Sequence, residues 1–273
     1  MLTVQIKNVL NRSLLVLFLT LFSISEAQVK TLAYKAGQLK SKRVKDAYET
    51  KWPQLQEDLK GISVNPDAFD IYLRAFKYER KVEVWLKNTG DVRYKLFRTY
   101  DICASSGDLG PKRKEGDGQV PEGFYRIDLF NPSSDYYLSM RISYPNTSDV
   151  ILKEGPSAGG AIMMHGDCVT IGCLPMTDEK IKELYVLCLE ARNRNNPIYI
   201  DIYPVKFTPE NIKMLEANYP KSKINFWKTL KTGYDYFETN KWLPVINIDS
   251  KGNYFLDEEL TKTKPTSKPD KKL

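Results

Sequence analysis

Histidine is almost absent from this chain: its 273 residues include a single imidazole, that of His165. Imidazole is the usual base that removes a proton from a nucleophile near neutral pH, so any chemistry of this kind must use His165. Cys173 follows eight residues later. A thiol attacks carbonyl carbons as the thiolate, and an imidazole is its usual helper. The scarcity of histidine therefore limits the search for a nucleophilic site to one short segment.

Cysteine is scarce as well, with four residues and no CxxC pair. A structural zinc site needs four convergent ligands, usually in paired short spacings. Here His165 and Cys168 offer one such spacing. Cys173 and Cys188 would have to be the remaining ligands, but they do not form a second short pair, so we expect no metal site. We also expect no cofactor. If Cys173 is the nucleophile, at most one disulfide forms among Cys103, Cys168 and Cys188. Cys188 lies on the apolar face of a predicted helix and is expected to be a buried core thiol.

Long apolar stretches are missing after the first 27 residues. Those residues combine a short positive region at Lys7 and Arg12, an apolar stretch at 14–22, and a small-x-small sequence before Gln28. This pattern predicts a signal peptide. The apolar stretch is short for a membrane span, although an uncleaved anchor stays an alternative. We therefore expect an exported protein of the periplasm or cell envelope.

The net charge of +7 does not lie mainly on the body of the protein. Five lysines and one aspartate give the segment 261–273 a charge of +4, and residues 28–260 are close to +2. A nucleic-acid-binding protein concentrates positive charge on its folded surface, so we expect no nucleic-acid partner. The Lys/Pro/Thr-rich segment is typical of a disordered, solubilising tail.

β-Branched and aromatic residues dominate from about residue 69 to residue 165 and predict an antiparallel β body. The predicted strands span 69–76, 81–86, 92–102, 124–130, 136–144 and 150–152. Before them, 37–59 has helical periodicity interrupted by Pro53. After Cys173, Thr177 opens a predicted helix, 198–203 is a predicted strand, and Thr208-Pro209 opens another helix. The aromatic segment 226–242 is predicted to be mainly helical.

A serine hydrolase is the third chemistry that the residues suggest. The sequence Gly155-Pro156-Ser157-Ala158-Gly159 matches the GxSxG pattern of a nucleophile elbow. That fold requires the chain order serine, acid, histidine. The one histidine follows eight residues after Ser157 with no intervening acid, so this match is interpreted as accidental.

Several motifs in order resemble the L,D-transpeptidase catalytic domain (YkuD-like) family, and its YafK-like subgroup in particular. They begin with Asp101-Ile102-Cys103-Ala104-Ser105-Ser106-Gly107 and continue with Gly116-Asp117-Gly118-Gln119-Val120-Pro121-Glu122-Gly123. His165-Gly166 and Thr170-Ile171-Gly172-Cys173 complete them. The resemblance implies an α+β fold with a mainly antiparallel β-sandwich core and helices added at its N- and C-terminal sides.

The resemblance also implies roles and boundaries. Cys173 would be the nucleophile, His165 its base, and the carbonyl of Gly166 would orient the imidazole. The N–H groups of Gly172 and Cys173 would hold the oxyanion, with Thr170 and Ile171 in the same substrate-binding segment. The expected organisation is a signal peptide at 1–27, a helical segment at 28–64, the catalytic domain at 65–205, an aromatic helical appendage at 206–260, and the tail at 261–273.

The substrate implied is a peptidoglycan stem peptide, cut between its diamino acid and the terminal D-alanine. An amine acceptor gives transpeptidation, which includes attachment of a wall-linked protein, and water gives hydrolysis or release of such a protein. A non-catalytic wall-binding module is the alternative from another class.

Two positions depart from the typical family motif: Ile171 replaces a histidine, and Pro175 replaces an arginine or asparagine. Arg126 and Arg141 are possible replacements for the missing cation, although surface strand arginines are the simpler interpretation.

Overall fold

The computed structural model describes residues 34–193 and 196–262. The predicted signal peptide at 1–27 and residues 263–273 of the tail predicted at 261–273 lie outside the described residues. The first two residues of that tail, 261 and 262, belong to the last helix. Within the described ranges, no helix combines the length and the apolar character that crossing a bilayer requires.

Helices flank a group of β-strands in the described part of the chain. The helices are α1 (Lys42–Gly61), α2 (Thr147–Ile151), α3 (Asp178–Arg192), α4 (Pro209–Asn218), α5 (Lys221–Asn240) and α6 (Glu258–Lys262), and residues 34–38 are also helical. The strands are β1 (Phe69–Phe76), β2 (Lys81–Asn88), β3 (Lys95–Asp101), β4 (Gly123–Ser134), β5 (Tyr137–Ile142), β6 (Met163–His165), β7 (Leu174–Pro175), β8 (Ile198–Tyr203), β9 (Ile246–Ile248) and β10 (Tyr254–Leu256).

Strands β1 to β8 form one curled sheet in the order β3-β2-β1-β8-β4-β5-β6-β7. Neighbouring strands are antiparallel except in the pairs β1–β8 and β6–β7. The predicted α+β class with a mainly antiparallel core and flanking helices is confirmed. β9 and β10 pair separately as a small hairpin.

The long strand β4 joins the two halves of the sheet. Its first residues pair with β8, and from Ile127 onward it pairs with β5 through two register shifts. Such irregularities bend a strand and increase its twist. Side chains from both halves enter one apolar core, with Leu73 and Val84 from one half and Met140 and Met164 from the other, all fully buried. The bend therefore lets a single sheet enclose its own core.

Helices α1 and α3 cover this core from one side. The buried residues of α1 are Val44, Ala47, Leu55 and Leu59, and α3 is buried over most of its length. The predicted break at Pro53 is wrong, because α1 continues through it. Proline fixes a φ angle that helices use and removes one hydrogen bond, a cost that the buried residues on either side offset.

The predicted strand at 150–152 is wrong, because residues 147–151 form helix α2. Asn146 caps this helix: its side chain accepts the N–H of Asp149, and the Asp149 carboxylate accepts the N–H of Asn146. This reciprocal capping box satisfies two N–H groups that a helix start leaves free. The local cap outweighs the β propensity of Val150 and Ile151.

Helix α5 packs on the outer side of the sheet, with Trp227, Leu230 and Phe237 buried. This surface also buries charged groups. Arg74 of β1 forms ion pairs with Glu83 of β2 and Glu238 of α5. Lys77 and Glu122 form a second pair, with nitrogen and oxygen 2.9 Å apart. Glu122 is fully buried, and its carboxylate also accepts the indole N–H of Trp227 at 2.6 Å.

Candidate active site

The short strands β6 and β7 place His165 and Cys173 at one edge of the sheet. Met164 pairs with Leu174 and His165 with Pro175 in parallel register. The Met163 N–H donates to Sγ of Cys173 at 3.4 Å, so the thiol lies beside the first residue of β6. Side chains two residues apart on a strand share a face, which puts the imidazole of His165 on the face of Met163. The two residues expected to react are therefore brought to one edge, with His165 on β6 and Cys173 immediately before β7.

His165 is held in one orientation by its surroundings. Its Nδ1 lies 2.5 Å from the carbonyl oxygen of Gly166, which makes Nδ1–H the donor and leaves Nε2 with a free lone pair. The ring of Tyr136 lies against the imidazole, with ring centroids 4.7 Å apart. Burial lowers the pKa of His165, and the Gly166 carbonyl and the charge of Asp167 act in the opposite direction. The resting imidazole is therefore neutral, the form that a general base requires.

The turn after His165 depends on close backbone contacts. A Cβ added to Gly166 would lie 2.5 Å from the Asp178 carboxylate and 3.0 Å from the carbonyl oxygen of Tyr136. The same Asp178 carboxylate accepts the N–H of Asp167, a residue with a positive φ of 60°. Gly166 is therefore needed for its size as well as for its carbonyl, and Asp178 fixes the turn from the start of α3.

Cys173 is partly buried and its thiol is neutral at rest. Burial raises the pKa of Cys173, while the Met163 N–H and the charge of Lys112 lower it by less. The start of α3 does not offset this effect, because the helix begins only at Asp178 and its first turn carries two acidic residues. Among the hydrogen bonds of the described residues, none joins Sγ of Cys173 to His165. Catalytic hydrogen bonds are often long before substrate binds.

Thr170 organises the backbone around Cys173. Its Oγ1 accepts the N–H groups of Gly172 at 3.1 Å and Cys173 at 2.8 Å, and it donates to the Cys173 carbonyl oxygen at 2.9 Å. The two N–H groups expected to hold an oxyanion are thus side by side, with a hydroxyl oxygen as their present acceptor. Gly172 has a φ of 138°, a conformation that glycine adopts without strain. Ile171 is 89% exposed at the tip of this segment.

A disulfide ties the site segment to the end of β3. Cys103 is bonded to Cys168, and the Cys103 N–H donates to the carbonyl oxygen of Pro175 at 3.1 Å. This settles the pairing that the sequence left open. Cys168 cannot act as a thiolate ligand while it is bonded, which agrees with the rejection of the zinc interpretation. Cys188 is fully buried, as predicted, and burial raises its pKa.

Sequence reasoning missed two residues that shape the site, Tyr136 and Asp178. Tyr136 lies in the short connection between β4 and β5, and it reaches His165 because Ser139 of β5 pairs with His165. Asp178 lies in the first turn of α3, where the sequence analysis predicts only that a helix begins. Both contacts join residues that are separated in sequence, and no local sequence pattern predicts them. Ser157 lies in a loop where its Oγ accepts the Gly159 N–H, away from any strand-to-helix elbow.

Comparisons with known proteins bear on the family of this chain. The family model of the L,D-transpeptidase catalytic domain (YkuD) matches residues 71–206. YafK of Escherichia coli strain K12, named as a candidate L,D-transpeptidase, is 37% identical over 194 residues, which cover 70% of this chain and 75% of that protein. The YafK protein of Escherichia coli O157:H7 gives the same values.

Two solved structures match parts of the chain. The helical cell shape determining protein Pgp2 from Campylobacter jejuni is 16% identical, with a TM-score of 0.40 over 67% of this chain and 74% of that one. Bd1075 of Bdellovibrio bacteriovorus is 19% identical, with a TM-score of 0.32 over 46% of this chain and 54% of that one. Both scores are low.

Proposed function

This chain belongs to the YkuD family of L,D-transpeptidase catalytic domains, and we propose that it is an exported cysteine acyl-transferase acting on peptidoglycan stem peptides. The observation that supports this most is the arrangement at β6 and β7. A partly exposed thiol lies next to the strand of the chain's one imidazole, and the Nδ1 of that imidazole is committed to a backbone carbonyl. Nε2 is then the nitrogen available to the thiol.

In the first half of the proposed reaction, Sγ of Cys173 attacks the carbonyl carbon that precedes the terminal residue of the stem peptide. The thiol proton passes to Nε2 of His165, and the carbonyl oxygen becomes an oxyanion. The N–H groups of Gly172 and Cys173 then bind the oxyanion in place of the Thr170 hydroxyl. This exchange is favourable because hydrogen bonds to a charged acceptor are stronger than those to a neutral one. The intermediate collapses to a thioester, and the leaving amine takes the proton from the imidazolium.

In the second half, an acceptor gives a proton to Nε2 of His165 and attacks the thioester carbon. An amine acceptor yields a new amide bond, and water yields a free carboxylate; in both cases the proton returns to the thiolate. Transpeptidation and hydrolysis therefore share the same residues and differ only in the acceptor. A protein linked to the wall is a further partner of this chemistry, either as the amine that is attached or as the amine that is released.

Product analysis with purified muropeptides tests the proposal. We expect the wild-type protein to release D-alanine and to form a covalent adduct on Cys173 that intact-protein mass spectrometry detects. Cys173→Ala should form neither product nor adduct. Cys188→Ala is the matched control and should retain both, since its thiol is buried in the core. New cross-links identify a transferase, and shortened or detached stems identify a hydrolase.

Equal muropeptide profiles with wild-type protein and with Cys173→Ala would contradict the proposed enzymatic activity and favour a non-catalytic wall-binding module. The proposed location is tested separately, by fractionating cells that express the full chain. Release of a protein shortened by about 27 residues into the periplasmic fraction supports export by the N-terminal segment.

A further inference from the structure

We propose that the cavity over β4 and β8 is a second binding site, which takes a small zwitterion, a free α-amino acid. Its volume is about 370 Å³, and Arg126 of β4 is one of the residues that line it. In the sheet, β5 and β6 separate β4 from the segment of Cys173. Three strand spacings amount to roughly 14 Å, so a small molecule bound in this cavity does not reach the thiol.

Two opposite charges line the cavity from neighbouring strands. Arg126 of β4 pairs with Tyr199 of β8, and Asp201 follows two residues after Tyr199. Residues that pair across strands share a face of the sheet, as do residues two apart on one strand. All three residues line the cavity. Diagonal positions such as those of Arg126 and Asp201 are about 7–8 Å apart, so one small ligand can contact both side chains.

Asp201 is buried without an ion-pair partner in the described part of the chain. The residue is 6% exposed, and its Oδ2 accepts the hydroxyl groups of Tyr72 at 2.5 Å and Tyr203 at 2.9 Å. Its Oδ1 accepts no hydrogen bond from the described residues. Burial raises the pKa of Asp201 to about 7, against the opposing effects of the two hydroxyl groups and the charge of Arg74. A ligand ammonium group at Oδ1 would supply the partner that a buried carboxylate requires.

Arg126 and Ser143 form the end of the cavity that suits a carboxylate. The Oγ of Ser143 accepts the backbone N–H of Arg126 at 2.9 Å, which leaves the hydroxyl proton available to a ligand. The Arg126 side chain is exposed and forms no ion pair with the described residues. Arg141 of β5 differs, because its guanidinium donates to both oxygens of Asp128. A free guanidinium beside a hydroxyl group can bind both oxygens of a carboxylate.

Residues 243–246 cover the cavity and make one wall apolar. Val245 is fixed there, because its N–H donates to Oγ1 of Thr261 and its carbonyl oxygen accepts the N–H of Asp257, both at 2.9 Å. A purely apolar ligand would remove Arg126 and Asp201 from water without giving them partners, which is costly. An inorganic anion would leave Asp201 unpaired. A zwitterion with a small apolar side chain, such as alanine, satisfies both charges and the apolar wall.

A chemical-shift titration of the full chain carrying Cys173→Ala tests the proposal, because this variant cannot form an acyl-enzyme. The probes are D-alanine, which the proposed reaction releases, and L-alanine. Acetate and methylammonium are the controls that carry a single charge. We expect saturable shifts at Arg126, Tyr199 and Asp201 with either alanine, at a dissociation constant of about 1 mM or below. Acetate and methylammonium should bind at least about tenfold more weakly, since each lacks one of the two charged contacts.

Substitutions at the two charged ends should each weaken alanine binding. We expect Arg126→Gln and Asp201→Asn to raise the dissociation constant by about ten- to hundredfold, the loss that follows from removing a hydrogen bond to a charged group. Asparagine at 201 still offers an oxygen to the two tyrosine hydroxyl groups, and urea unfolding checks that the variant is folded. Arg141→Gln is the matched control, because Arg141 is an exposed strand arginine that is bonded to Asp128. Its dissociation constant should equal that of the parent protein.

Three results would overturn the proposal. The first is no saturable binding of either alanine, and the second is binding of acetate or methylammonium as tight as that of alanine. The third is an equal loss for Arg141→Gln, because general surface charge would then be the cause. Shifts centred on His165 instead of the cavity also contradict it, since the amino acid would then occupy the candidate active site. All these results come from binding alone, so failure to process muropeptides would contradict only the proposed function.

Discussion

Two regions of the sheet bury polar groups in different ways. At the β6–β7 edge, His165 is 2% exposed and bonded to a backbone carbonyl, and it forms no ion pair with the described residues. Under α5, the buried charges of Arg74, Lys77, Glu83 and Glu122 are all in ion pairs. A neutral, titratable group at an open edge is suited to moving protons, whereas paired buried charges attach one element to another. The contrast predicts that substitutions at the edge change activity and that substitutions under α5 change stability.

The largest expected effect is that of His165→Gln. The protein should lose about 10²–10⁴-fold in D-alanine release, which is the usual contribution of general base catalysis, because no second imidazole exists in the chain. Urea unfolding should still show a cooperative transition, since the polar amide can keep the hydrogen bond to Gly166. Loss of the cooperative unfolding transition in this variant would contradict the contrast between the two regions, because His165 would then be needed for stability as well as for activity.

Next in size is the buried pair under α5. Lys77→Met should lower the free energy of unfolding by about 3–5 kcal/mol, because it leaves Glu122 charged and unpaired in a dry environment. The double variant Lys77→Met, Glu122→Gln should recover part of that loss. Urea titration measures both. Asp235→Asn, which breaks an exposed pair with Lys231 on the same helix, is the control and should change the free energy by about 0.5 kcal/mol or less. Equal losses for the buried and exposed pairs would contradict this prediction.

The disulfide near the candidate active site is expected to affect both activity and stability. Cys103 and Cys168 are 65 residues apart, and removal of such a bridge typically costs about 2–4 kcal/mol. Cys168 is also close in sequence to Cys173, so Cys103→Ser with Cys168→Ser should reduce activity as well as stability. Reductant should reproduce both changes in the wild type and have no further effect on the double variant. Full activity in the double variant would show that the bridge acts on stability alone.

The smallest expected effect is a shift in the pH profile of kcat/KM. Burial lowers the pKa of His165 below its ordinary 6.5, so the neutral base persists to lower pH. At pH 6.5 the enzyme should therefore keep more than half of its plateau rate, and the rate should fall only as pH drops through the lowered pKa. Burial raises the pKa of Cys173 above 9.0, so no thiolate-driven increase is expected at neutral pH. An acid limb centred above pH 6.5 would contradict this prediction, and a rate that falls at alkaline pH as an imidazolium loses its proton would indicate a charged thiolate–imidazolium pair.

Much of the fold follows from local sequence patterns. Strands β1 and β8 and the start of α4 agree with their predicted bounds, because alternating or β-branched residues and the Thr208-Pro209 pair act over a few residues. In α4 the Thr208 hydroxyl accepts the Asn211 N–H as an N-cap should. The break at Pro53 and the strand at 150–152 failed where packing or a capping box outweighed propensity.

The candidate site, like the fold, was predicted only in part from the sequence. His165 and Cys173 were identified because their residue types are rare in the chain, and their roles stay predictions. Tyr136 and Asp178 gained significance only from the pairing of β5 with β6 and the position of α3. The choice among Cys103, Cys168 and Cys188 also required the fold, since spacing alone permits each pairing.

The single histidine has a practical consequence for spectroscopy. In a proton or nitrogen spectrum of this protein, every imidazole signal comes from His165 and so from the candidate site. The Tyr136 ring, 4.7 Å away, adds a ring-current shift that changes when a ligand moves either ring. Titration, substrate binding and the opening of the Gly166 contact are therefore all visible as the movement of one resonance, without isotope labelling of chosen residues or any substitution.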